Sequence, residues 1–526
     1  MCVADAYTAS AGCFDSKRAI QFAEYYLTFR HFIGHKNTIN DRALFKPGDH
    51  RFLFFGLRPI IERLLLRAVT HAEVDEAKAF FADRKARGDG SYVDFEFMEP
   101  LWRRVVEEFG GFPPIEINAI PEGSTFYPGE PIVRVRNTVA GFGPLAAYFE
   151  ASLIKVWNAS QRGTMNRHWL NRVRELVSRT EKDISPAMLD YWSRAFCHGF
   201  EARATGSDEE NAHCSGYDLA VFHGTDTFHG AYYQWLDGAP NSVGSSVWAG
   251  AHHSAQGFEN EADFYETMYN NAGPSDIVSM IGDCYDWYNA VDKYILPLAV
   301  RSQKEGNGKI VVGRPDSGET VEDEIEQMLD YCRKAISLGL YTEKVGADGK
   351  MYKFGTFARL IQGNSMDYFK MTYICEAFIA EGLAPHGWFV FGFGGYRVRC
   401  INRDAASVKY ALYAVGEDQS PVIKLSMVAG KRTRPFCKVI RTPEALRSGK
   451  TVVTWGEAGD DIMIPFFDGE KDQPFRAGFH EKYDAIANRA NEGFDAMPPH
   501  AGDMSDALSN LSDQIAESHL PSLKAQ

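Results

Sequence analysis

Residues 310–340 read IVVGRPDSGETVEDEIEQMLDYCRKAISLGL. A short apolar run, Ile310 to Val312, passes into a polar loop carrying Arg314, Asp316 and Ser317, and then into a helical pattern. Val321, Ile325, Met328, Leu329, Cys332 and Ile336 recur at helical spacing on one face of a helix expected over Glu319 to Leu340. Glu319, Glu322 and Asp323 occupy its opening turns, where carboxylates favour the positive end of the helix dipole. A continuously apolar strand followed by a helix is the unit of a parallel sheet covered on both faces.

The same succession recurs along the chain. Apolar runs end in polar or small-residue loops at AFCHGFEAR (195–203), AVFHGTDT (220–227), SVWAGAHHS (246–254), IVSMIGDCYD (277–286), RLIQGNSMD (359–367) and FVFGFGGYR (389–397). Six or seven such units within about 200 residues point to an α/β barrel, complete or incomplete, whose loops gather at the C-terminal ends of the strands. Around this core the sequence changes character. Residues 55–68, 72–87 and 145–157 read as helices, while 115–120 and 132–135 alternate as strands. After Lys409 the chain is strand-like again, with a local basic stretch of Lys431, Arg432, Arg434, Lys438 and Arg441. The expected organisation is an N-terminal α/β domain over 1–165, a barrel core over 166–415, and a β-rich segment over 416–495 that packs with the N-terminal domain. A tail over 496–526 is expected to be weakly ordered or to dock on a partner subunit.

Composition narrows the function. The 526 residues hold 56 Lys+Arg against 70 Asp+Glu, a formal charge of −14, which argues against a broad nucleic-acid or anionic-membrane surface. No window approaches the length of apolar sequence that a spanning helix needs. Nine scattered cysteines without a CxxC pair fit reduced thiols, and no secretory signal is visible, so a cytoplasmic location is expected.

The strand-end loops carry the chemistry. Asp226, Asp283 and Asp316 are acids at three strand ends, suited to a ribose diol or a Mg²⁺–diphosphate. His252 and His253 stand at a fourth, and Arg203 and Arg314 offer planar donor forks for phosphate. Gly392, Gly394 and Gly395 permit close backbone approach to a phosphate. Phe200 offers a face for a flat heterocycle. Each has a plainer reading: an aspartate as a helix cap, the glycines as a turn, the histidine pair as a loop or a metal site, Phe200 as core.

Taken in order, HGFEAR, GTDT, AHHS, DCYDWYNA, RPDSG, LIQGN and FGFGG followed by Arg403-Asp404 resemble the nicotinamide phosphoribosyltransferases, a type II phosphoribosyltransferase family. The resemblance extends from Phe55-Gly56-Leu57 to about residue 480. It implies an incomplete α/β barrel, a second α/β domain built from the N- and C-terminal segments, and active sites shared across a homodimer. The implied reaction joins nicotinamide and phosphoribosyl pyrophosphate into nicotinamide mononucleotide and pyrophosphate, a step of NAD salvage. It is coupled to ATP hydrolysis through a phosphohistidine and uses Mg²⁺; no tightly bound organic cofactor is expected. The same fold acting on nicotinate or another flat base, a non-catalytic nucleotide-binding relative, and a barrel metallohydrolase are the competing readings.

By the same resemblance Phe200 stacks on the pyridine ring and Arg203 lies near the nucleotide phosphate. Asp226 accepts from the carboxamide, and His253 is the phosphorylated histidine with Asp283 as its orienting acid. Ser279 and Arg314 line the base pocket, Asp316 holds the ribose, Gly363 and Asn364 touch ribose or phosphate, and Gly394 and Gly395 take the 5′-phosphate. Arg403 and Lys409 reach phosphate from the partner subunit. An Asp226 carboxylate in a desolvated pocket would favour the amide over the acid by on the order of a thousandfold. Three departures stand out: Asn364 replaces an aspartate, Glu201 replaces a glycine, and the interval from Arg403 to Lys409 is short. The family's N-terminal aspartate-serine-tyrosine segment is sought at Glu24-Tyr25-Tyr26, or less well at Asp15-Ser16-Lys17.

Overall fold

A computed structural model describes residues 4–13, 15–31, 49–395, 401–426 and 432–524, with side chains described to residue 518. Two compact units emerge. One comprises Met165–Cys400; the other combines the N-terminal segment up to Thr164 with Ile401–Gln526.

The first unit holds seven strands: β1 (Cys197–Gly199), β2 (Gly224–Thr225), β3 (Trp248–Gly250), β4 (Ile277–Ile281), β5 (Ile310–Arg314), β6 (Ala358–Gln362) and β7 (Phe389–Phe393). They pair in the order β3-β4-β5-β6-β7-β1-β2, every pair parallel. Among the described residues the two edge strands do not pair; an isolated bridge joins Gly224 of β2 to Ser245, three residues before β3, so the sheet curls into the expected incomplete barrel. The face it turns toward the covering helices is apolar: Val278, Met280, Val311, Leu360, Phe389, Phe391 and Phe393 are almost fully buried, and Trp169 stacks on Phe393 with ring centroids 4.5 Å apart.

The helix after β5, α1 (Val321–Ser337), starts two residues later than its periodicity implies because Thr320 is its N-cap. Thr320 and Asp323 form a reciprocal capping box, satisfying two backbone donors at once. Ile325, Met328, Leu329 and Cys332 are buried as the stripe predicts, but so is Glu324. The loop after β6 leads into α2 (Tyr368–Ala380), capped by Asp367.

The second unit carries a six-stranded antiparallel sheet. Its order is Ser420–Pro421, Val408–Val415, Ala23–Phe29, Val133–Asn137, Ile115–Ala119 and Ile464–Phe467, so both chain ends build it, as expected. Val408–Val415 was expected in the barrel; instead it pairs residue by residue with Ala23–Phe29. Its two-sided apolar pattern suits either sheet, and only pairing decides. The tail forms a helix, Asp506–Lys524, whose Leu508 is fully buried with Tyr26, Tyr413 and Cys437. The helix expected to reach Arg87 ends at Phe81, just before Asp83 takes a left-handed φ of 52°. The described members of the basic stretch have partners within this unit. Arg432 and Arg434 donate to the Ser512 and Gly502 carbonyls, Lys438 to those of Glu457 and Gly459, and Arg441 pairs with buried Glu130. Lys431, and Tyr396-Arg397 after the glycine cluster, lie outside the described residues.

Candidate active site

The parallel sheet brings four strand ends around one cavity of about 460 Å³. β1 delivers Phe200 and Arg203, β5 delivers Arg314 and Asp316, β6 delivers Gly363 and Asn364, and β7 delivers Gly394 and Gly395. These eight were all named from sequence, and they converge because parallel strands put every C-terminal loop on the same side.

Phe200 is fixed by its backbone: its N–H donates to the Phe393 carbonyl at 2.7 Å, extending the β1–β7 pairing by one residue. Its ring lies against Gly392, where a Cβ would meet ring carbons at 2.9 and 3.0 Å, so a side chain at 392 would displace the ring. The Arg314 guanidinium carbon sits 5.5 Å from the ring centroid, within cation–π range. Arg314 also donates to Asp316 Oδ1 at 3.0 Å from Nη2, which holds both side chains at the cavity wall. Asp316 and Asn364 additionally line an adjoining cleft with Glu319, Asp323 and Glu326. Arg203 is exposed at the cavity rim.

Asp226 follows β2, and its N–H donates to the Gly199 carbonyl at 2.9 Å, so it stands beside the strand that carries Phe200. It is exposed rather than desolvated, and its carboxylate accepts from the Ser246 hydroxyl. It does not cap the next helix: Thr227 is the N-cap, without a side-chain bond. Nearby His198 is held below its ordinary pKa by burial, against the opposing charge of Asp226. Glu201 is fully buried and folds back beside Gly199, where a Cβ would meet its carboxylate at 2.8 Å; it therefore does not face the ring of a stacked base.

One expectation is corrected. Asp283 Oδ1 lies 3.0 Å from His252 Nε2, while its Oδ2 accepts from the Ser317 hydroxyl at 2.7 Å; the acid is engaged by His252, not His253. The residues are consecutive at the start of a short helix, His252–Gln256, and the helix turn directs only one of them toward β4. His253 is exposed. Ser279 is buried within β4 on the sheet face it shares with Arg314, two residues deeper than the strand end, and is not among the residues lining the cavity. Ser317, which motif reading passed over as part of RPDSG, is the additional group the geometry brings to Asp283.

Arg403 and Lys409 belong to the other unit. Arg403 is exposed and donates through Nε to Asp404 at 2.9 Å. Lys409 sits opposite Thr28 in the antiparallel sheet, and burial pushes its pKa down while Glu150 opposes the shift. In the same unit Tyr26 packs on Tyr413 in the core, Tyr25 stacks on Tyr410, and buried Glu24 accepts from the Tyr413 hydroxyl. That excludes Glu24 and Tyr26 as a presented segment. Asp5-Ala6-Tyr7 instead retains the acid and the aromatic, and Tyr7 is 63% exposed on the helix Ala6–Ala9.

Among the described residues no cluster of three or more His, Cys, Asp or Glu side chains forms a metal cage. Asp316 and the acids of the adjoining cleft suit a divalent cation that keeps most of its ligands from water and phosphate.

Residues 195–439 match the model of the nicotinate phosphoribosyltransferase family. The chain is 31% identical over 365 residues to a nicotinamide phosphoribosyltransferase of Xanthomonas campestris pv. campestris, covering 68% of this chain and 72% of that relative. It is 26% identical over 382 residues to a protein of the same name from Acinetobacter baylyi, again covering 68% and 72%. Among solved structures it resembles human nicotinic acid phosphoribosyltransferase with a TM-score of 0.53 at 16% identity, covering 97% of this chain and 99% of that one. It also resembles nicotinate-nucleotide pyrophosphorylase from Pyrococcus furiosus with a TM-score of 0.51 at 12% identity, over 94% and 97%. These two structural likenesses concern the fold.

Proposed function

The chain belongs to the nicotinate phosphoribosyltransferase family, and on that premise we propose that it transfers the phosphoribosyl group of phosphoribosyl pyrophosphate to nicotinamide. The products are nicotinamide mononucleotide and pyrophosphate. The observation that carries this reading is the convergence of Phe200, Arg314, Asp316, Asn364 and Gly394 on one cavity.

In this reaction the pyridine nitrogen forms a bond to C1′ of the ribose as the bond from C1′ to the diphosphate oxygen breaks. Positive charge develops on the sugar and then resides on the pyridinium. Phe200 holds the ring flat, and its π face favours the cationic product. Asp316 takes the ribose hydroxyls, Gly394 and Gly395 admit the 5′-phosphate close to the backbone, and Arg203 supplies a phosphate partner. Asp226, beside the Phe200 strand, accepts from the carboxamide of nicotinamide. When bound, Mg²⁺ supplies charge neutralisation to the departing diphosphate, with Asp316 as a protein ligand.

ATP coupling falls to His253. A phosphoryl acceptor needs an accessible nitrogen; His253 is exposed, whereas His252 Nε2 is engaged by Asp283. The active unit is a homodimer in which Tyr7, Arg403 and Lys409 serve the partner's site, Tyr7 forming the second face of the ring sandwich.

The direct test is incubation of the pure protein with phosphoribosyl pyrophosphate and a panel of flat bases, with and without Mg²⁺–ATP, and product identification by mass. Nicotinamide mononucleotide as the main product supports the reading. Nicotinate mononucleotide as the main product, or no nucleotide, defeats it.

A further inference from the structure

Position 364 is built unlike a free-standing loop residue. After β6 the chain turns through Gly363-Asn364-Ser365, with Ser365 at a left-handed φ of 49°. The backbone of this turn is held from beneath: fully buried Gln362 accepts the Gly363 and Asn364 N–H groups on Oε1 at 2.8 and 3.0 Å. The Asn364 side chain is held from a second direction. Its Nδ2 donates at 2.8 Å to Oε1 of Glu324, an α1 carboxylate that is 2% exposed. Lys370, from α2, balances that carboxylate at 2.7 Å and also donates to the Asn364 carbonyl.

A carboxylate only accepts hydrogen bonds, so it fixes which end of the Asn364 amide faces it. The NH₂ must turn to Glu324, leaving Oδ1 as the atom for other donors, and the Ser365 hydroxyl reaches that oxygen at 3.4 Å. We propose that Glu324, braced by Lys370, is the positioning residue that makes Asn364 a neutral hydrogen-bond acceptor for the ribose of phosphoribosyl pyrophosphate. This rests on the reading of the cavity as the phosphoribosyl pyrophosphate site. It also accounts for asparagine where the resemblance leads one to expect aspartate. With Glu324 in place, an acid at 364 sets two carboxylates within hydrogen-bonding distance, and both cannot remain ionised there.

The arrangement makes an interaction testable by a double-mutant cycle. Asn364→Asp alone is expected to raise the KM for phosphoribosyl pyrophosphate by about tenfold or more, with a much smaller change in kcat. In the Glu324→Gln background the same substitution moves one carboxylate from 324 to 364, leaves Lys370 balanced, and is expected to recover most of that loss. Thermal unfolding of each variant separates folding from binding. If the double variant does not fold, Glu324→Gln alone decides. It is expected to raise the KM severalfold because a glutamine no longer dictates the amide's orientation, and an unchanged KM overturns the proposal. An Asn364→Asp loss that is equal in both backgrounds, or absent, also overturns it. A wild-type protein that binds neither phosphoribosyl pyrophosphate nor nicotinamide mononucleotide in calorimetry overturns the parent reading and this assignment together. A binding-competent wild type with additive variants overturns this assignment alone.

Discussion

Asp283 lies 3.0 Å from His252 Nε2, and because a carboxylate can only accept, that nitrogen carries the proton. The second oxygen of Asp283 is taken by Ser317, so the acid is committed to its neighbours while His253 remains exposed. Phosphohistidine chemistry at His253 then predicts that His253→Ala abolishes ATP hydrolysis. His252→Ala, which only releases Asp283, should slow it by about tenfold. ATPase assays on the two variants check this; the reverse ranking assigns the acceptor to His252.

Gly392 sets the position of the Phe200 ring. A Cβ there would lie 2.9 Å from a ring carbon, so Gly392→Ala should displace the ring. We expect the KM for nicotinamide to rise by roughly tenfold, the loss of about one good aromatic contact. The KM for phosphoribosyl pyrophosphate should change less, as steady-state kinetics with each substrate varied would reveal.

Exposure of Asp226 revises the strength of base selection. A solvated carboxylate discriminates between amide and acid by about 1 kcal/mol, roughly fivefold, rather than a thousandfold. Asp226→Asn should shift preference toward nicotinate by that order. Because Asp226 does not cap the following helix, unfolding free energy should stay within about 0.5 kcal/mol of wild type. Competition between the two bases, read by mass, measures the first, and urea unfolding the second.

Tyr7 and Phe200 are expected to face one ring from different subunits. Tyr7→Ala and Phe200→Ala should each be strongly impaired. Mixed and allowed to exchange, they should regain about a quarter of wild-type activity, since half the dimers are mixed and each holds one intact site. No recovery after demonstrated exchange would place Tyr7 outside the partner's site.

Burial, reinforced by the nearby Arg194 charge, pushes His223 down from 6.5 to about 4. Between these values the unfolded chain binds a proton that the folded chain does not. Stability is therefore complete above about pH 6.5 and falls as pH drops toward 4, by at most about 3 kcal/mol. Urea unfolding at pH 7 and pH 5 should show the decline, and His223→Gln should flatten it.

The sequence by itself determined the repeating strand–loop–helix unit, because apolar runs and helical spacing are local properties of the chain. It also determined most of the cavity: once the strands are parallel, residues such as Phe200, Asp316, Asn364 and Gly394 must share one face of the sheet. Tertiary structure alone decided the rest. Val408–Val415 joined the antiparallel sheet through long-range pairing with Ala23–Phe29, which no local pattern encodes. Ser279 shares a sheet face with Arg314, but its pairing with Val312 sets it two residues deeper than the strand end, and only register decides that depth. The choice of His252 over His253 for Asp283 depended on the rotation of one helical turn. Glu324 looked like an ordinary acid at a helix start until packing buried it against Asn364 and Lys370, which lie 40 and 46 residues away in the chain.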